Sequence, residues 1–231
     1  MYVEFTSFKV TTALKLLSKI VFAASLLLIV LPATGKAPTI LVFGDSISAA
    51  YGMDQEQGWV HLLSEELKSA INPVGGRYLV VNASVSGETT GGGLVRLPKT
   101  LEIHQPDILL LELGGNDGLR GYPIDKIESN LLRMAKMAQS AGASVMLIGM
   151  VLPPNYGKRY TIAFESIFEK IATRLNIPYL PYFLQGVATP ANLLQRDGIH
   201  PTPEAQSMLL EDIWPLLRVL VDKNRLQLEQ G

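Results

Sequence analysis

Two kinds of apolar pattern alternate along the chain. Thr39–Phe43, Tyr78–Asn82, Ile108–Leu113, Ser144–Gly149 and Pro178–Phe183 are short, nearly continuous apolar runs, most of them bounded by glycine, proline or polar turns. Runs of that length without polar alternation predict strands buried on both faces of a parallel sheet. Between them, apolar residues recur at helical spacing over Trp59–Ala70 (Trp59, Leu62, Leu63, Leu67), Leu94–His104, Ile124–Ala141, Tyr160–Leu175 and Pro203–Val221. Gly142 stands where a helix end favours glycine. Pro215 is expected to kink or interrupt the last helix. Strands alternating with helices predict βαβ units on a parallel sheet of about five strands. With no internal repeat and no Ser/Gly linker, the expectation is one three-layer α/β/α domain over residues 36–231.

The first thirty-five residues carry a different pattern. Lys9, Lys15 and Lys19 precede an apolar run from Ile20 to Leu31, followed by Pro32 and the small residues Ala33, Thr34 and Gly35. A basic segment, an apolar segment and a small-residue site in that order form a secretory signal peptide, here 1–35 with cleavage near Gly35. The run is twelve residues long, short of the roughly 20 needed to span a bilayer, so a permanent anchor is the weaker reading. The expectation is export to the periplasm or medium, with no stable membrane span after processing.

Composition then removes several classes of function. The 231 residues carry a net charge of −1, and 48% are hydrophobic, so the bulk of the chain is neither disordered nor built for nucleic acid. There is no cysteine, which excludes a disulfide scaffold, a thiol nucleophile and cysteine-held metal centres.

In open parallel sheets, sites form where the strands end. Gly44-Asp45-Ser46 follows the first predicted strand, Asn82 to Gly87 the second, and Gly114-Gly115-Asn116-Asp117 the third. A Pro- and Gly-rich stretch from Met150 to Tyr160 follows the fourth, and Asp197-Gly198-Ile199-His200 precedes the last helix. Of the three histidines, His61 reads as a helix-surface residue and His104 as a cation at a helix C-terminus. His200 remains as a base, with Asp197 close enough in sequence to fix its tautomer. A serine hydroxyl needs such a base, which makes Ser46 the matching nucleophile. Attack on an acyl carbon creates an oxyanion, for which the N–H groups of Ser46 and Gly87 and the side-chain amide of Asn116 are available. Asp45 reads as a turn-capping acceptor rather than half of a metal site. Each block alone is an ordinary turn, because Gly, Asn, Asp and Ser dominate turns.

Together and in order, these blocks resemble the SGNH (GDSL-type) hydrolases, and the longer strings Val81–Gly87, Leu111–Gly121, Leu152–Gly157 and Asp197–Pro201 resemble the bacterial thioesterase, lysophospholipase and arylesterase branch. Ile47 stands where the family pattern has Leu, a swap of similar volume. The resemblance implies a flavodoxin-like fold, Ser46 as nucleophile, His200 as general base and acid, and Asp197 as its orienting carboxylate. It implies Ser46, Gly87 and Asn116 as the oxyanion hole, and no cofactor or metal. It also implies that the 152–160 stretch covers the acyl chain, with Leu152, Pro153, Asn155 and Tyr156 as substrate-binding residues. The expected substrate is a small-molecule acyl ester or thioester or a lysophospholipid, handled by a monomer. A carbohydrate deacetylase, a peptidase-like activity and a non-catalytic lipid- or partner-binding module remain as alternatives. The last fits poorly, since a binder needs no nucleophile with its base.

Overall fold

β1 (Thr39–Gly44), β2 (Leu79–Asn82), β3 (Ile108–Glu112), β4 (Ser144–Ile148) and β5 (Tyr179–Leu180) form one sheet, all parallel, in the order β2-β1-β3-β4-β5. That is the flavodoxin-like order. The computed structural model describes residues 37–68, 78–188 and 192–230; the expected leader and its cleavage site lie outside the described residues. The helices are α1 (Trp59–Lys68), α2 (Thr90–His104), α3 (Gly115–Leu119), α4 (Ile124–Ser140), α5 (Lys158–Leu175) and α6 (Gln206–Gln230).

The chain moves one way from β1 to β2 and the other way from β2 onward. Right-handed crossovers then force the connecting helices onto opposite faces. α1 packs with α6, while α2, α4 and α5 lie side by side. The middle layer is β1 and β3, whose every residue is buried. Phe43, Ile40, Leu41, Ile108 and Leu109 form its centre, with Trp59 set edge-on to Phe183 and Phe164 edge-on to Phe168.

The departures from the predicted elements have local causes. β2 is a strand, but it is the sheet edge, so its burial is partial and Leu79 is half exposed. α2 begins at Thr90 rather than Leu94: Thr89 caps it by accepting from Gly92 N–H at 3.2 Å. Gly91, Gly92 and Gly93 fall in its first turn, and a Cβ on Gly93 would sit 2.6 Å from Leu113, so that glycine serves close packing of helix on sheet. β5 shortens to two residues, α5 starts at Lys158, and α6 runs through Pro215 to Gln230. The turn after β3, expected to be irregular, contains the short helix α3.

Candidate active site

Ser46 sits in the tight turn that leaves β1. Asp45 O accepts from Ala49 N–H at 3.0 Å, Ser46 O accepts from Tyr51 N–H at 3.1 Å, and Asp45 Oδ1 accepts from Ile47 N–H at 3.1 Å. The turn-capping role expected of Asp45 is therefore present. The segment after β2 is fastened to the same strand end: Val85 N–H donates to Gly44 O at 3.0 Å and Gly44 N–H to Ser84 Oγ at 3.1 Å. Gly87 lies in that segment with φ +77°, a left-handed conformation that glycine adopts without strain. Arg96, from α2, clamps the segment by pairing with Glu88 at 2.9 Å and donating to Ala83 O at 2.7 Å, with its guanidinium 4.1 Å from the Phe43 ring centroid.

His200 arrives from the far end of the sequence. Its Nε2 lies 2.8 Å from Ser46 Oγ and its Nδ1 lies 2.7 Å from Asp197 Oδ2. Serine O–H to Nε2 and Nδ1–H to the carboxylate is the pairing this geometry allows. The other carboxylate oxygen, Asp197 Oδ1, accepts from the N–H groups of Ile199 and His200 at 2.9 and 3.0 Å. Partial desolvation raises the Asp197 carboxyl, but the bonds from the His200 ring and from the two backbone N–H groups, with attraction to His200, outweigh it and hold the pKa down at about 2. Gln195 ties this loop to the Ser46 turn: its N–H donates to His200 O at 2.7 Å, and its amide donates to Tyr51 O at 2.8 Å and Pro201 O at 3.0 Å. The Tyr51 ring rests on the His200 ring with centroids 4.4 Å apart.

Asn116 stands in the first turn of α3. Its Nδ2 donates to Asp45 Oδ2 at 3.0 Å, which leaves one amide N–H for a ligand. Next to it, Asp117 accepts from Thr90 N–H at 2.8 Å and Thr90 Oγ at 2.6 Å, and Asn130 donates to the same hydroxyl. The Gly87 segment and the Asn116 helix are thus joined through the first residue of α2. Beneath the Ser46 turn, Glu112 is fully buried; its Oε2 accepts from Ser48 Oγ at 2.7 Å and from Asp45 N–H at 3.1 Å. Burial drives the Asp45 carboxyl up to about 6, against hydrogen bonds from Ile47, Asn116 and Glu112 and the attraction of His200. Burial and the neighbouring Asp45 push Glu112 well above the carboxylate range.

A cavity of about 480 Å³ opens beside Ser46, His200 and Asn116. Leu119, Met150, Leu152, Leu184, Leu194 and Ile199 supply much of its apolar wall. Leu152 and Pro153, expected to bind substrate, line it. Asn155 and Tyr156, expected with them, do not lie on its wall: Pro153 and Pro154 turn the chain into a 3-10 turn, and Tyr156 points to α3, where its hydroxyl donates to Leu119 O at 3.0 Å. Glu112, Tyr51 and Gln195 went unread in the sequence. A signal existed for Glu112, the one charge within an apolar run that predicts a buried strand; the contacts of Tyr51 with His200 and Gln195 have none, because these partners are remote in sequence.

Comparison with known proteins points to one family. Residues 42–207 match the GDSL-like Lipase/Acylhydrolase family. Esterase TesA of Pseudomonas aeruginosa is 46% identical over 202 residues, covering 87% of this chain and 98% of that protein. Thioesterase 1/protease 1/lysophospholipase L1 of Escherichia coli is 40% identical, covering 80% of this chain and 86% of that protein. The crystal structure of the psychrotrophic esterase EstA from Pseudoalteromonas sp., inhibited by monoethylphosphonate, superposes with a TM-score of 0.74 at 39% identity, covering 80% of this chain and 98% of that one.

Proposed function

The chain belongs to the GDSL-like lipase/acylhydrolase family and is an esterase of the SGNH type; on that premise we propose that it is an exported serine enzyme that cleaves acyl esters and thioesters, lysophospholipids among them, through an acyl-enzyme. The observation that carries this reading is the hydrogen-bonded chain Ser46–His200–Asp197 at the mouth of an apolar cavity.

The geometry supports the following steps. The acyl chain lies against Leu152, Met150, Leu184 and Leu194, which brings its carbonyl carbon to Ser46 Oγ. As Oγ attacks, His200 Nε2 takes the hydroxyl proton, and Asp197 stabilises the imidazolium through Nδ1–H without itself taking a proton. The oxyanion receives the N–H groups of Ser46 and Gly87 and the free N–H of Asn116, a contribution of about 3 kcal/mol per donor in comparable sites. His200 then returns its proton to the departing alcohol or thiol, leaving an ester on Ser46. Water attacks that ester with His200 as base again, which releases the carboxylic acid and restores the serine. Apolar walls suit an acyl tail far better than a sugar, whose hydroxyls would be stranded there.

The test is hydrolysis of p-nitrophenyl esters from acetate to palmitate, with Ser46→Ala alongside. Turnover that falls about 10^4-fold or more in the variant is expected; equal rates in both proteins would defeat the serine mechanism. The leader pattern of residues 1–35 supports export. N-terminal sequencing of the protein recovered from the host cell envelope should find a start near residue 36, and an intact Met1 would refute processing.

A further inference from the structure

Glu112 faces Gly44 across the β1–β3 ladder, and its carboxyl fills the space a Cβ on Gly44 would need. Asp45 is 2% exposed and Glu112 is 0% exposed, and among the described residues neither pairs with a lysine or arginine. The ionisable groups acting on the pair are each other and, on Asp45, His200. Two adjacent carboxylates in a dry site cannot both carry charge, so the pair retains a proton. The donors decide where it sits. Both Asp45 oxygens are served, Oδ1 by Ile47 N–H and Oδ2 by Asn116 Nδ2. On Glu112, Ser48 Oγ and Asp45 N–H donate to Oε2, while Oε1 is buried without a partner.

We propose that Glu112 is a positioning residue that keeps a proton on its free oxygen, so that the Asp45 carboxylate beside it stays charged and fixes the amide of Asn116. A carboxylate can only accept, so it admits the NH2 end of Asn116 and rejects the carbonyl end. One N–H is then spent on Asp45 and the other is aimed at the reacting oxygen. A second charge on Glu112 would drive the shared proton onto Asp45, and Asn116 would lose the acceptor that holds its orientation. The directions of the two pKa shifts agree with this arrangement. The inference rests on the reading of Asn116 as an oxyanion donor.

Three variants and one spectrum test it. Glu112→Gln keeps a neutral group whose oxygen can accept from Ser48 Oγ and Asp45 N–H, and it should hold kcat within about threefold of the parent. Glu112→Leu is equally uncharged and of similar volume but removes the acceptor that ties Asp45 N–H and Ser48 Oγ to β3; kcat should fall roughly 10- to 100-fold with KM little changed, part of the loss expected for a full oxyanion donor. If Gln loses as much as Leu while both melt as the parent does, or if Leu keeps the parental kcat, the proposal is overturned. The infrared spectrum at pH 7 gives a readout free of activity and of the variants' folding: the parent should show a protonated-carboxyl C=O band that Glu112→Gln lacks, and a parent without the band overturns it. Asn116→Ala separates this failure from failure of the underlying reading. A parental kcat there removes Asn116 from the oxyanion hole, whatever the infrared spectrum shows of Glu112.

Discussion

The turn that carries Ser46 and the loop that carries His200 meet across a 2.8 Å contact, one walled in by the sheet and the other standing at the surface. Around Ser46, Asp45, Ser48, Glu112 and Asp117 are all buried, and their bonds run to β3, α2 and α3. Around His200, the Asp197 side chain is 38% exposed, and its partners lie two and three residues away in the same loop. The buried half takes its geometry from strand register and layer packing; the exposed half takes it from a local turn plus the Gln195 clamp. Positioning on a rigid floor suits the oxyanion donors, which must not move as charge develops. A base that receives and returns a proton can ride on a loop, provided its tautomer is fixed.

The comparison breaks first on function. His200→Ala should lower kcat about 10^4-fold, as far as Ser46→Ala does, because the two act as one unit. Its melting temperature should stay near the parental value, since the ring is not part of the core; a large drop in stability would show that the loop is as integral as the floor. Next in size is a pair of glycines. Gly44→Ala drives a methyl into the Glu112 carboxyl and should cost about 1–3 kcal/mol in denaturant unfolding. Gly198→Ala meets no neighbour and strains only its φ of +69°, at about 1–2 kcal/mol. A reversed order would mean that the floor yields more easily than the turn.

The pH dependences should separate as well. The Asp45 pKa is raised from 3.8 to about 6, so the folded state holds that proton more tightly than the unfolded chain, and stability falls as pH rises from about 4 to 6. Asp45→Asn removes the penalty, and its melting temperature relative to the parent should therefore climb across that window. The Asp197 pKa is lowered from 3.8 to about 2; its contribution is present above pH 4 and is lost only as pH falls toward 2. Asp197→Asn should thus lose the fall in stability that this carboxylate gives the parent as pH drops from 4 toward 2. Thermal melts across the range read both slopes. Smallest is Gln195→Ala, which removes the tie between the two halves. With two bonds lost at a net value of about 1 kcal/mol each, kcat should fall by no more than about thirtyfold. A 10^3-fold loss would mean that the loop has no conformation of its own.

What the sequence determined by itself is the alternation of buried strands and amphipathic helices, the parallel class of the sheet, and the four polar blocks at the strand ends. Those features are local: hydrophobic period, turn chemistry, and an Asp whose acceptors reach the N–H groups of Ile199 and His200 two and three residues on. Only the tertiary structure decided that β2 would be an edge, that the helix after it would begin at Thr90 rather than Leu94, and that Tyr156 would bond to α3 instead of facing the cavity. It alone set Glu112 against Asp45, Tyr51 against His200 and Gln195 against Tyr51, because these contacts join residues 67 to 149 apart. Strand register and packing fix such pairs, and neither is written in the residues on one side of the contact.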